Sequence, residues 1–320
     1  MDQRNMTENT AEIIDRCGSP QDSDVDFVIP VYNEEEELET SIRQLGAYLS
    51  GTVNEYGAII ADGVPANFSW QIVIADNAST DTTWSIASEL SHRYPDRIRA
   101  VRIREKGRGL ALKSAWGESK SQVCAYMDVD LSTGLEQIDS LILPLLSGEA
   151  DIAIGSRLLA GSWIKRSARR EFISRSYNFL LRTYSRARFH DAQCGFKAIR
   201  RQRFQDLLPL IVDNEWFFDT ELLLLAQDKG WKIKEIPVRW VEDRGTTVKI
   251  FDTAWKDLQG MKRMKTFRNS TNPEQILSHQ ADAYRQTHAS PFAGSLIPIS
   301  LLGNSTVSRN HPAILTNFTA

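Results

Sequence analysis

The sequence has few cysteines, and none of them are close together. Cys17, Cys124 and Cys194 stand far apart with no C-x-x-C among them, which excludes a zinc cluster or a disulfide framework and suits a reducing compartment. They are expected as buried thiols. Long apolar runs are also missing: the nearest, Phe292 to Leu302, is short and broken by Pro298, too little for a membrane span. The first residues are polar and acidic rather than basic and then apolar, so no signal peptide is expected, and the expected location is cytoplasmic. Charge of one sign is scarce, at a net −3. No nucleic acid partner is expected, and any phosphorylated ligand must meet a local basic patch. Glycine is absent from the segment YNEEEE after the first apolar run. That removes both the dinucleotide fingerprint of a dehydrogenase and the glycine-rich loop of a sugar nucleotidyltransferase.

What is present is a globular composition, 42% hydrophobic and 25% charged over 320 residues, enough for one large core. From Val25 onward, short β-branched runs alternate with helical patterns: VDFVIPV then EEEELETSIRQLGAYL, QIVIAD then DTTWSIASELSHRY, IRAVRI then GLALKSAWGES, followed by VCAYMDVD and DIAIGSR. This rhythm predicts an α/β fold with a mostly parallel central sheet flanked by helices on both faces, and ligands at the carboxyl ends of the strands. Residues 1–24 and 270–320 are polar and aperiodic and read as flexible tails, leaving 25–269 as the folded domain. The stretch between Ser50 and Ser69 reads as a surface loop.

The expected strand ends collect the chemistry. Pro30, Tyr32 and Glu34 follow the first strand, where Pro30 removes a ladder donor and Tyr32 offers a ring for stacking. Asp76 ends the second, with a carboxylate able to accept from a base N–H, while Ser79 or Asn77 reads as a helix cap. The third leads into Lys106-Gly107-Arg108-Gly109, a basic turn whose amides and cations suit phosphate. The fourth delivers Asp128 and Asp130. Two residues apart in an extended segment they face one way, so both reach one hard cation, Mg²⁺ or Mn²⁺. Read alone, Asp130 and Ser132 would cap the following helix, and the surrounding motifs turn the reading toward a cation.

Together VIPVYNEEEE, IADNASTD, KGRG, MDVDLS, IGSR, DAQCGFKAIRR and FFDTELL resemble the family 2 glycosyltransferases of the GT-A fold, over about Asp26 to Lys249. Within that family they are most similar to the polyprenyl-phosphate (dolichyl-phosphate) sugar synthases, and DAQCGFK with WFFDTELLLLA looks like the glucosyl branch. The resemblance implies a GT-A-like, Rossmann-related sheet and an inverting single displacement from a nucleotide-sugar donor, a UDP-sugar before a GDP-sugar. It implies that Pro30, Tyr32, Glu34 and Asp76 line the nucleoside pocket, with Lys106 and Gly109 beside it. Asp128 and Asp130 would hold metal and diphosphate. Arg157, Arg170, Ser174 and Asn178 would receive the acceptor phosphate, and the last three also fall on one helical face. Asp219 and Glu221 match the acidic position over the active site, Gln193 a donor-sugar contact and Arg244 a closing phosphate contact.

A polyprenyl-phosphate acceptor requires contact with a membrane, and two basic segments offer one. Phe251, Ala254, Trp255, Leu258, Met261 and Met264 form a helical stripe bordered by lysine and arginine, which suits either packing or an anionic membrane surface. Arg175, Arg182, Arg186 and Arg188 form a second basic set. Two other readings fit the same motifs, a family 2 enzyme acting on a soluble hydroxyl acceptor or saccharide, and a non-catalytic nucleotide-binding module.

Overall fold

The structure is a computed structural model and describes residues 14–52, 66–241 and 250–268, without the side chains of residues 14, 168–170 and 250–255. In chain order the elements are β1 (Ile14–Cys17), β2 (Val25–Val31), α1 (Leu38–Leu49), β3 (Trp70–Asn77), α2 (Thr83–Arg93), β4 (Ile98–Ile103), α3 (Arg108–Glu118), β5 (Val123–Met127) and α4 (Ile138–Leu146). There follow β6 (Ile152–Ser156), β7 (Trp163–Lys165), α5 (Ala168–Ser185), β8 (Phe196–Arg200), α6 (Arg201–Leu207), α7 (Phe218–Asp228), β9 (Ile233–Pro237), β10 (Arg239–Val241) and α8 (Ile250–Arg268).

Among the described residues the strands form an eight-stranded sheet of order β1-β4-β3-β2-β5-β8-β6-β9. Strands β2 to β5 are parallel to one another, as the strand-helix rhythm predicts, and β6 pairs parallel with β9. Two features depart from that rhythm. Strand β8 enters antiparallel between β5 and β6. Strand β1, inside the segment read as a tail, pairs antiparallel with β4 and covers the sheet edge, where unpaired backbone groups would otherwise lie open. Four residues offer too short a period to announce a strand.

Side chains alternate across the sheet. Phe27, Ile29 and Val31 pack with Leu38, Ile42 and Leu45 of α1, Leu90 of α2 and Ile138 and Leu141 of α4. Val28, Val73 and Ala75 pack on the other face with Leu112 of α3, Phe204 of α6, Leu222 of α7 and Met261 and Met264 of α8. The second core centres on Trp116, fully buried, with Phe204 edge-on at 5.0 Å and Phe218 at 6.0 Å. Cys124 and Cys194 are buried, and burial pushes both thiols up to about 12, so both stay protonated. Most of the expected Ser50–Ser69 loop lies outside the described residues, though Phe68 packs against Phe27 at 6.3 Å.

Candidate active site

The strand exits converge because side chains of one turn satisfy the backbone of the next. The Asn33 N–H donates to Ser79 Oγ (3.0 Å), and the Thr80 N–H donates to Asn33 Oδ1 (2.8 Å). The Glu34 N–H reaches Thr83 Oγ1 (2.8 Å), and the Gly107 N–H reaches Asn77 Oδ1 (2.6 Å). Neither Ser79 nor Asn77 therefore caps α2. That helix is closed by Glu35, which accepts from the Thr82 N–H at 3.0 Å, and by Asp81, which accepts from Thr83. Asn33, Ala78 and Leu131, one at each exit of β2, β3 and β5, hold positive φ of 56°, 62° and 46°. Such backbone costs about 1–3 kcal/mol per residue and gathers where function requires it.

Asp76 is fully buried at the end of β3. Its Oδ1 accepts from the Ser79 N–H (3.1 Å), and its Oδ2 lies 3.2 Å from Arg102 Nε without the alignment of a hydrogen bond. Burial raises its pKa against the Ser79 hydrogen bonds and the Arg102 charge. A buried acceptor with a lone pair to spare suits an incoming N–H. Tyr32 is half-exposed, and the Lys106 ammonium sits 3.7 Å over its ring, so one ring face is already covered. Pro30 lies beyond Val28–Tyr126, the last described pair between β2 and β5. The glycines of KGRG serve packing: a Cβ on Gly107 would meet Asn214 O at 2.6 Å, and one on Gly109 would meet Phe218 Cβ at 2.6 Å.

Asp128 leaves β5 with its side chain 45% exposed. Arg108 donates to its Oδ1 at 2.8 Å. Its Oδ2 lies over the bare Cα of Gly195, where a Cβ would come within 1.7 Å. Asp130 accepts from the Ser132 N–H (3.0 Å) and hydroxyl (2.6 Å). Among the described residues no three His, Cys, Asp or Glu side chains cluster as a metal site. Two carboxylates are what this exit offers a hard cation, and any further ligands would have to be oxygens that a bound molecule brings, a set that Mg²⁺ or Mn²⁺ on a diphosphate would accept.

Arg108, read in the sequence only as a cation of the basic turn suited to phosphate, is bonded to carboxylates and joins the site to a buried network. It also donates to Asp219 Oδ2 (2.7 Å), lying 5.0 Å from the rings of both Tyr126 and Trp216. Asp219 Oδ1 accepts from the Tyr126 hydroxyl and sits 3.1 Å from Lys197 Nζ. Burial alone would raise the Asp219 pKa, but Lys197 and Arg108 outweigh it and hold it below the usual carboxylate range. The signal was present in the sequence as charged or hydroxylated residues inside apolar strands, Tyr126 in VCAYM and Lys197 in FKAIR.

The segment Asp191–Gly195 is fastened residue by residue. Asp191, fully buried, takes a two-pronged ion pair from Arg157 (Nε at 2.8 Å, Nη2 at 2.9 Å) and also accepts the Arg157 N–H. The Ala192 N–H donates to Asn178 Oδ1 (3.1 Å), Gln193 Nε2 to Asp257 Oδ2 (2.9 Å), and Gly195 O accepts from the Asp128 N–H (3.2 Å). Arg157, Asn178 and Gln193, expected at phosphate and sugar, thus hold this segment and through it Asp128. Glu221 faces elsewhere: it accepts from the Val212 and Asp213 N–H groups (3.0 and 2.7 Å) and from Arg263 (3.0 Å). Ser174 is half-buried on α5, its carbonyl accepting from Asn178. The side chain of Arg170 and all of Arg244 lie outside the described residues.

Asp257 is a buried carboxyl on α8 whose Oδ1 has no hydrogen-bond partner. Burial, reinforced by the nearby Asp213 charge, pushes its pKa up to about 7. A folded-state pKa above the unfolded value contributes stability that is present in full only below about 4 and is lost as pH rises from there through about 7. Asp257→Asn keeps an acceptor for Gln193 and is expected to stabilise the protein more at pH 8.5 than at pH 5, by about 2 kcal/mol. Urea unfolding at the two pH values measures this, and equal effects at both would contradict it.

Comparison with known proteins places the chain. The profile of glycosyl transferase family 2 matches residues 26–208, more than half of the chain. Glycosyltransferase AglD of Haloferax volcanii is 34% identical over 239 residues, covering 74% of this chain but only 36% of AglD. The dolichyl-phosphate beta-glucosyltransferase of Homo sapiens is 27% identical over 241 residues, 72% of this chain and 71% of that one. Glucosyl-3-phosphoglycerate synthase of Mycobacterium tuberculosis, solved with Mn²⁺, uridine diphosphate and phosphoglyceric acid, superposes with a TM-score of 0.51 over 76% of this chain and 77% of that one, at 16% identity. The last likeness is one of fold. The match of motifs, strand order and family profile shows that the chain belongs to glycosyl transferase family 2, on the GT-A fold its sequence implied.

Proposed function

We propose that the protein moves a hexose, glucose from UDP-glucose, to a polyprenyl phosphate by a single inverting displacement. The observation that carries this reading is the placement of Asp128: an acid at the exit of a central strand, half-exposed between Arg108 and the bare Cα of Gly195, in the same row of exits as buried Asp76. The similarity to dolichyl-phosphate beta-glucosyltransferases supports both the sugar and the lipid acceptor. A β product from an α-linked donor requires inversion.

Asp76 would accept from the base, and Tyr32 with Pro30, Glu34, Lys106 and Gly109 would border the nucleoside. Asp128 and Asp130 would hold Mg²⁺ or Mn²⁺ against the diphosphate. Bound there, the ion would supply charge neutralisation for a departing nucleoside diphosphate. Arg170 and Ser174 would take the acceptor phosphate, and Arg244 would close over phosphate on the donor side. A lipid phosphate is anionic near neutral pH and needs no strong general base. That agrees with Asp219 and Glu221 both being engaged inside the fold, where they position the surrounding loops.

The test offers purified protein with Mn²⁺ or Mg²⁺ a panel of UDP- and GDP-sugars, with and without a short-chain polyprenyl phosphate. Product is followed by mass and its anomer by NMR. A β-glucosyl phospholipid formed only with the lipid phosphate is expected. Transfer to a water-soluble alcohol or sugar instead would overturn the acceptor assignment.

A further inference from the structure

The outer face of α5 has no part in the core or in the site. Phe172 and Phe179 on it are 72% and 70% exposed, and Leu180 and Tyr184 are exposed beside them. At 3.6 residues per turn, Phe172, Ser176, Phe179 and Thr183 share one strip. Arg175, Arg182 and Arg186 border it on one side, and Leu180 and Tyr184 on the other. The opposite face is spent on the fold, with Leu181 in the core and Asn178 bonded to Ala192. Two aromatic rings this open, aligned two turns apart, are unfavourable in water and mark a surface that is covered in use.

The charge around the rings indicates what covers them. Among the described residues no carboxylate pairs with Arg182, Arg186 or Arg188, all exposed, while Arg175 pairs with Glu171, the single acid of the helix. A basic, aromatic-ridged helix of 18 residues on a chain of net charge −3 complements a surface rich in phosphate over an apolar interior. Arginine stems can lie along that boundary while their heads reach lipid phosphates. Helix α8, where the sequence also suggested membrane contact, gives Met261 and Met264 to the core instead. Its Phe251, Ala254 and Trp255 side chains lie outside the description.

We propose that the outer face of α5 docks on an anionic phospholipid bilayer, with Phe172 and Phe179 entering the acyl boundary and Arg175, Arg182 and Arg186 meeting lipid phosphates. Ser174 lies on the other side of the same helix. The helix would then stand between the bilayer and the acceptor site, a consequence that rests on the acceptor reading, whereas the docking itself does not.

Co-sedimentation of the full chain, without donor, acceptor or metal, uses vesicles of phosphatidylcholine alone and of phosphatidylcholine doped with phosphatidylserine. Binding to the doped vesicles alone is expected, weakening as salt rises. Phe172→Ser/Phe179→Ser and, separately, Arg182→Gln/Arg186→Gln should each weaken it at least about tenfold. Transfer to an acceptor dispersed in detergent should be unchanged in the phenylalanine variant, which separates this proposal from the transferase reading. Absent vesicle binding, equal binding by wild type and both variants, or a wild-type dimer that the phenylalanine variant turns into a monomer would each overturn the proposal.

Discussion

Replacing Gly195 by alanine is expected to lower turnover at least about a hundredfold while the protein stays folded. No left-handed φ demands glycine at this position, so the alanine backbone is allowed and the effect must come from the side chain. The added Cβ would sit 1.7 Å from Asp128 Oδ2 and 2.3 Å from its Cγ. The strand cannot retreat, because β5 and β8 are paired up to Met127 and Phe196 and the preceding segment is held by Arg157, Asn178 and Asp257. The carboxylate must therefore rotate away from where the diphosphate and its cation would be gripped. Displacements of this size in a site cost on the order of a hundredfold in rate. Steady-state kinetics beside a thermal melt checks this: a melt within a few degrees of wild type and a collapsed kcat are expected, and an unchanged kcat would contradict the placement of Asp128.

Arg108→Met separates the two tasks of that arginine. Asp219 keeps Lys197 and the Tyr126 hydroxyl but loses a buried partner at 2.7 Å. Removing one member of a buried ion pair is strongly destabilising, and about 3 kcal/mol of lost stability is expected by urea unfolding. At Asp128 the effect has the opposite sense. With its Oδ1 released from the 2.8 Å contact, Mn²⁺ alone should bind about fivefold more tightly, the equivalent of roughly 1 kcal/mol of relieved competition. Loss of stability without a gain in Mn²⁺ affinity would mean that Arg108 does not compete for that carboxylate.

The strand exits were legible in the sequence because apolar runs ending in an acid are rare without a reason: Asp76 and Asp128 lie where VIAD and YMD put them. The helix-strand rhythm likewise gave β2 to β5, since alternation is local. Partnerships between distant segments were not legible. Arg157 with Asp191, Gln193 with Asp257 and Arg108 with Asp219 join residues far apart in the chain, and no period of 2 or 3.6 announces them. Asp219 and Glu221 looked interchangeable in FFDTELL. Two positions along a helix turn about 200°, so Asp219 reaches the site network while Glu221 reaches Arg263 and the loop at Val212. The antiparallel entry of β8 escaped for a related reason, because direction in a sheet is set by the connection and not by the strand's own residues.

The most direct measurement is binding of Mn²⁺ in the presence of UDP, by calorimetry or electron paramagnetic resonance, to the wild type and to Asp128→Asn. The account predicts one Mn²⁺ site that tightens with UDP in the wild type and is lost in the variant, with an unaltered melting profile. A variant that holds Mn²⁺ and UDP as tightly as the wild type would contradict it.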